Sequence, residues 1–202
     1  VPEALVKLMA SRGLEGGTHA TAWVHVSDCT GLYDTARTKG IDVVTLDRGY
    51  DSRLGERAPW LLIGAKTLSY AVNMAALREA RMRGADDVIF LSSDDLLLEG
   101  PTSTVLLAMH ADDPARRTLL TVAPACGVLA GTTQAALFSL AADAGWQTRY
   151  DKVPQASLSK ADALWLISSG RLLAPVNRVD GRPMPRRPDL DAELNALIRR
   201  IE

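Results

Sequence analysis

Ala65-Lys66-Thr67-Leu68-Ser69-Tyr70 and Leu98-Glu99-Gly100-Pro101-Thr102-Ser103-Thr104 decide how this chain is read. The first stretch puts a lysine directly after an apolar run, Trp60-Leu61-Leu62-Ile63-Gly64-Ala65, and the second puts a carboxylate directly after Leu96-Leu97-Leu98. A charge at the end of an apolar strand or run sits where a fold can hold it rigidly at the edge of a core. A lysine partly desolvated at such an edge has its ammonium form disfavoured, so the free amine becomes usable as nucleophile and base. Taken alone, the same residues also read as a solvated helix-start lysine and a turn glutamate.

Working outward, Ala4–Ala10 and the alternating Ala20–Val26 predict strands, separated by a glycine-containing loop over Ser11–Thr18. Ile41–Leu46 predicts another strand. Asp47–Pro59 is polar and glycine-containing, which predicts a mobile surface loop ahead of Lys66. Ser69–Arg83 mixes Val72, Ala75, Ala76 and Ala80 with charged residues, the pattern of an amphipathic helix, and Gly84 is its stop. Val88–Leu91, Asp95–Leu98, Thr104–Ala108, Thr118–Val122, Thr148–Val153, Leu164–Ile167 and Leu172–Val176 predict strands, with Ser92–Asp95 as a turn. Helices are expected over Thr132–Ala144, Asp189–Ile201 and, briefly, Ser157–Ala161. Strands outnumber helices and do not alternate strictly with them, so the expected class is α+β, a mixed-sheet pseudobarrel with flanking helices.

The 202 residues, 47% of them hydrophobic, are ample for one core. The net charge is −1, with no basic stripe, so nucleic-acid binding has no support. No apolar run approaches the ~18 residues of a membrane span, and no signal peptide is visible. Cys29 and Cys126 stand far apart without metal-site company and read as buried thiols of a reducing cytosol. His19, His25 and His110 offer no metal spacing either.

Lys66-Thr-Leu-Ser-Tyr70-Ala-Val-Asn73, Gly84-Ala-Asp-Asp-Val-Ile-Phe90, Glu99-Gly-Pro-Thr-Ser103 and Val128-Leu-Ala-Gly131-Thr132-Thr133 follow one another in an order and spacing that resemble the class IV aminotransferases. These are the fold-type-IV pyridoxal-phosphate enzymes, among them branched-chain aminotransferases, D-amino-acid aminotransferases and aminodeoxychorismate lyases. The resemblance covers nearly the whole chain. It implies pyridoxal 5'-phosphate as cofactor and Lys66 as the catalytic lysine that carries it and moves protons at the substrate carbon. It implies that Glu99 faces the pyridine nitrogen, that Tyr70 meets the ring oxygen, and that Ser103 lies by the cofactor. Gly131, Thr132 and Thr133 match the turn that holds the phosphate, and Ser169 matches a second hydroxyl near it. Physics agrees for the turn, since glycine permits close approach and a helix N-terminus offers free N–H groups. Each residue also has a plainer reading: Tyr70 a core-facing aromatic, Thr132 an N-cap, Ser168-Ser169-Gly170 an ordinary turn.

By the same resemblance, Val1–Thr18 is the remnant of a small N-terminal domain with its linker, and residues 19–202 are the large cofactor-binding domain. The Arg12-Gly13 loop matches the interdomain loop that meets substrate, which makes Arg12 and His19 substrate residues. Some members carry a carboxylate-binding arginine at the place of Gly17, and its absence counts against a D-amino-acid transaminase, although His19 matches a histidine of that branch. The family often has Ser-Asn where this chain has Ser103-Thr104. The expected activity is a lyase giving 4-aminobenzoate and pyruvate from 4-amino-4-deoxychorismate, for folate biosynthesis; the alternatives are a branched-chain or D-amino-acid transaminase, or an inactive large-domain fragment. The expected protein is a cytoplasmic homodimer acting on a small molecule. Lacking the small domain's phosphate-binding arginine, this chain is expected to hold the cofactor weakly.

Overall fold

The computed structural model describes residues 1–200; the expected end of the last helix at Ile201 lies outside the described residues. The chain divides into two compact units, one from Val1 to Thr35 and one from Ala36 onward. The first is a hairpin of β1 (Ala4–Ser11) and β2 (Thr21–Asp28), paired antiparallel from Ala4 opposite Asp28 to Ser11 opposite Thr21. Gly13 is obligatory in its loop: φ is +85°, and a Cβ there would fall 2.0 Å from the carbonyl oxygen of His19. Val6, Leu8, Trp23, Val24 and Val26 are exposed on its strands.

The second unit is built on a mixed sheet. Its strands are β3 (Ile41–Asp47), β4 (Asp87–Leu91), β5 (Thr104–Met109), β6 (Thr118–Val122), β7 (Gln147–Asp151), β8 (Ala163–Ser168), β9 (Leu172–Val179) and the short β10 (Arg182–Pro183). The order is β4-β3-β9-β8-β5-β6-β7, with β10 hanging from β9. β3 runs parallel to β4 and β9, and β6 parallel to β7; the other pairs are antiparallel. The two ends of this order are joined. Leu98 N–H donates to Phe90 O (2.8 Å), while Leu97 N–H donates to Val153 O (2.8 Å), so Leu96–Leu98 bridges β4 to the chain just after β7. That closure makes the sheet the expected pseudobarrel.

The helices are α1 (Asp34–Lys39), α2 (Leu54–Arg57), α3 (Ala71–Met82), α4 (Thr132–Asp143) and α5 (Pro188–Ile198). Strand alternation sends side chains to two cores. Val105, Leu107, Leu164 and Leu166 join Val43, Ile89, Leu97 and Val176 in one; Leu106, Ala108, Trp165 and Ile167 meet Leu137, Phe138, Leu190 and Leu194 of α4 and α5 in the other. Polar tips fasten α5: Trp165 Nε1 donates to Asp191 Oδ1 (2.7 Å) and Trp146 Nε1 to Glu193 Oε1 (2.8 Å). Both cysteines are buried and unpaired. No helix among the described residues is long and apolar enough to cross a membrane.

Three expectations are corrected. Trp60–Ala65 is not a core strand or run: Pro59–Leu61 forms a single 3₁₀ turn, Leu62 is left-handed at φ 53°, and Trp60, Leu61 and Leu62 are exposed. Asp95–Leu98 is not a strand: only Leu96 and Leu97 form isolated bridges, Leu96 with Pro154 and Leu97 with Leu91. Asp47–Pro59 is not a free surface loop. Arg48 N–H donates to Leu91 O (2.8 Å), Ser93 N–H donates to Tyr50 O (3.0 Å), and Ser52 donates to Asp94 from both N–H (2.8 Å) and Oγ (2.7 Å). Hydrogen bonds from the Ser52 and Ser92 hydroxyls, more than the Ser52 N–H, hold the pKa of Asp94 down at about 2.

Candidate active site

A cleft of about 360 Å³ opens in the second unit, and its lining gathers residues from six separate stretches of chain. Lys66 and Tyr70 come from the segment ahead of α3; Glu99 and Ser103 come from the segment between the closing bridge and β5. Gly131, Thr132 and Thr133 stand at the start of α4, Ser169 follows β8, and Arg48 and Tyr50 follow β3. Eight residues singled out from the sequence, from Lys66 to Ser169, are thus brought together. Arg12 and His19 lie in the hairpin unit, both exposed, with Thr18 Oγ1 3.1 Å from His19 Nδ1.

Local chemistry explains each placement. Glu99 is seated by its backbone, its carbonyl accepting from Phe90 N–H at 3.0 Å, and by its side chain, whose Oε2 accepts from Leu129 N–H at 3.0 Å. Burial raises its pKa above 4.5, opposed by the Leu129 hydrogen bond and by the charges of Arg48 and Lys66. Gly100 then turns the chain: a Cβ there would fall 2.4 Å from Ser103 Oγ. Asn73 Nδ2 donates to Pro101 O (2.7 Å), tying α3 to that turn. Ser103 Oγ is buried in the cleft wall and has no hydrogen-bond partner. Such a hydroxyl costs free energy until a donor or acceptor arrives.

Gly131 is the residue before α4, and a Cβ there would fall 2.6 Å from Thr104 Oγ1. No side chain caps this 12-residue helix, so its first-turn N–H groups, at the positive end of the helix dipole, are left without a capping partner, and residues 131–134 line the cleft. Lys66 is exposed rather than desolvated, since the segment carrying it lies along the cleft mouth. Arg48 was not foreseen as a cleft residue. Its guanidinium lies 4.9 Å from the Phe90 ring centre and 5.7 Å from that of Tyr50. The available signal was its place one residue beyond the end of β3, where strand ends deliver side chains to a cleft.

The family model for the amino-transferase class IV matches residues 2–179. This chain is a class IV aminotransferase family member. A curated relative of the family, the bifunctional aminodeoxychorismate lyase / D-amino acid transaminase of Mycobacterium tuberculosis, is 46% identical over 187 residues, 92% of this chain. The chain spans 65% of that relative's length. Among solved class IV aminotransferase-like structures, the fold IV-transaminase CpuTA1 of Curtobacterium pusillum is 46% identical with a TM-score of 0.88, covering 98% of this chain and 64% of that one. The PLP-bound form of a hypothetical aminotransferase from Mycobacterium tuberculosis is 44% identical with a TM-score of 0.90, covering 98% and 69%. The fold is therefore that of the fold-type-IV transaminases.

Proposed function

We propose that this chain is the large, cofactor-holding domain of a pyridoxal-phosphate enzyme, most specifically a 4-amino-4-deoxychorismate lyase that yields 4-aminobenzoate and pyruvate. One observation carries the reading: a single cleft holds a lysine, a buried carboxylate, an unpartnered buried hydroxyl and an uncapped helix N-terminus. This donor set fits the cofactor. The α4 N-terminus with Thr132 and Thr133 suits a phosphate, Ser103 Oγ and the Ser169 hydroxyl offer further hydrogen bonds, and Glu99 suits a protonated ring nitrogen. Bound there, pyridoxal phosphate supplies an aldehyde for amine capture and a ring that accepts electrons from the substrate carbon.

The chain's own groups do the rest. Lys66 Nζ would hold the cofactor and would take and return the proton at the substrate carbon. Glu99 would face the ring nitrogen and favour its protonated form. Tyr70 would donate to the ring oxygen, and Arg12 and His19 are assigned to substrate by the family resemblance alone. Val1–Thr18 is read as the end of a smaller domain that the longer relatives carry, and the protein as a cytoplasmic homodimer in folate synthesis. The lyase is one of the two activities in the 46%-identical relative's name, and it is favoured over the other because the carboxylate-binding arginine that some family members carry is replaced by Gly17. The second reading, a D-amino-acid transaminase, is supported by His19 and by the other half of the relative's name.

Borohydride reduction of the cofactor-loaded protein should fix the cofactor on Lys66, and Lys66→Ala should abolish that labelling without loss of thermal stability. Labelling at another lysine overturns the assignment. Incubation with aminodeoxychorismate, then with D-amino acid and keto-acid pairs, separates lyase from transaminase by which product forms.

A further inference from the structure

Two cations line the cleft, Lys66 and Arg48, and only the lysine has a part in the reading above. Arg48 is half-buried, one residue past the end of β3. Its backbone N–H donates to Leu91 O at 2.8 Å, which fixes it beside the end of β4. From there its guanidinium reaches the Phe90 ring, 4.9 Å from the ring centre. The Tyr50 ring centre is 5.7 Å away, and Tyr50 is itself tied down, its carbonyl accepting from Ser93 N–H at 3.0 Å. Phe90 stands between β3 and the Glu99 segment: it lies opposite Leu46 on one edge, and its N–H donates to Glu99 O on the other. A guanidinium on the Phe90 ring is therefore near the Glu99 carboxylate, and its charge favours the ionised form that burial opposes.

Near is not in contact. Among the described residues no ion pair joins Arg48 to Glu99 or to any other carboxylate. Glu99 Oε2 accepts from Leu129 N–H, and Oε1 accepts from none of the described residues. The two rings supply the attraction that holds the guanidinium where it is. Both alternatives would spoil the carboxylate as a partner for a ring nitrogen. A contact ion pair would spend Oε1 on an arginine N–H, and no cation at all would leave burial free to protonate the group. The other titratable groups around Glu99 are Lys66 and Tyr70 ahead of α3 and Tyr50 beside Arg48; Phe90 and Leu129 bring none. Burial raises the Tyr50 hydroxyl above its ordinary range, so Tyr50 stays neutral. Lys66 is committed to the cofactor, which leaves Arg48 as the lasting cation of the lining.

We propose that Arg48 is a positioning residue that acts through Glu99: held on the rings of Phe90 and Tyr50, out of contact with the carboxylate, its charge keeps Glu99 ionised and leaves Oε1 open to the ring nitrogen of pyridoxal phosphate. The inference rests on the cofactor reading above and adds to it a residue that reading does not use.

The test follows the Glu99 carboxyl carbon by NMR in cofactor-free protein made with carbon-labelled glutamate, the signal being assigned by its loss in Glu99→Gln. Its titration midpoint should rise by about one pH unit in Arg48→Met, a tenfold gain in proton affinity. In Arg48→Lys, which keeps the charge, it should rise by no more than about 0.3 of a unit. The holoprotein is then loaded with nitrogen-labelled pyridoxal phosphate at neutral pH. The ring-nitrogen signal should move towards that of neutral pyridine in Arg48→Met and stay with the parent in Arg48→Lys. A packing role for the guanidinium would move neither signal. A Glu99 midpoint that holds still in Arg48→Met, or rises as far in Arg48→Lys, overturns the proposal while the cofactor reading stands. So does a ring nitrogen that ignores Arg48→Met although Glu99→Gln shifts it. If Glu99→Gln leaves the ring nitrogen as in the parent, Glu99 does not face it, and that part of the cofactor reading falls together with the proposal. Where Arg48→Met does not fold, Arg48→Gln, polar but uncharged, is held to the same rise of about one unit.

Discussion

At Glu99 opposing effects meet on one carboxyl group. Burial raises its pKa, and the Leu129 N–H with the charges of Arg48 and Lys66 offsets only part of the rise. The folded pKa therefore lies above the unfolded one, near 4.5, so the folded state binds the proton more tightly. Stability from this group falls as pH rises from that unfolded value through the raised folded value, and stays diminished at neutral pH. Glu99→Gln, nearly isosteric and never charged, should unfold at a higher temperature than the parent at pH 7 without cofactor. The gap should close as the pH falls below the ordinary carboxylate range. The same variant should lose more than about tenfold in turnover, ~1.4 kcal/mol or more, because an amide cannot hold a proton on the ring nitrogen. Parallel melting curves at every pH, or turnover within tenfold, would make Glu99 a turn residue. Glu99 was legible because it follows an apolar run that is buried, and Lys66 only through the order of the family's motifs, whereas Arg48 was hidden inside a stretch whose polarity reads as solvent-facing. Its place by the cleft depends on the backbone bond to Leu91, which no local pattern announces.

Among the elements, those with a strong period were read well. α3 was expected over Ser69–Arg83 and forms over Ala71–Met82, closing at Gly84 (φ +76°) as a glycine stop should. α1 and α2 went unread because six and four residues carry too little apolar period to show. Trp60–Ala65 misled for the opposite reason: its apolar residues line a cleft mouth, where hydrophobicity gives no sign of strand or core. α4 owes its start to a packing constraint. Gly131 lies so near Thr104 of β5 that any side chain collides with the Thr104 hydroxyl, and β5 is buried and hydrogen-bonded on both sides. Gly131→Ala should cost about 1–3 kcal/mol by overpacking. Thr104→Ala in the same chain should return most of that loss in thermal unfolding. A parent-like melting temperature for Gly131→Ala, or no recovery in the double variant, would place the glycine's role elsewhere.

At the scale of the whole molecule, the closing seam decides whether the sheet is a ribbon or a barrel. Strand order alone leaves β4 and β7 as edges, and an open edge invites pairing with other chains. Leu96–Leu98 joins the two ends of the order by bonding to Phe90 of β4 on one side and to Val153, just past β7, on the other, and carries Glu99 out of the seam into the cleft. The closure was legible only as a fold class, because it joins Leu97 to a partner 56 positions later through single bridges rather than a ladder. Leu97, fully buried, should therefore be costly twice over. Leu97→Ala should lose about 2–5 kcal/mol, as a large core truncation does. Leu137→Ala on α4, equally buried, should lose a similar amount, which makes it the control. The two should part in native-state hydrogen exchange and in cofactor affinity. Opening the seam frees the amides of Phe90, Leu97 and Leu98 and lets Glu99 drift, so Leu97→Ala should speed exchange there and weaken pyridoxal phosphate. Leu137→Ala should speed exchange along α4 and leave those three amides protected. If both variants expose the same amides equally, the barrel opens as one unit, and the seam has no separate hold on the site.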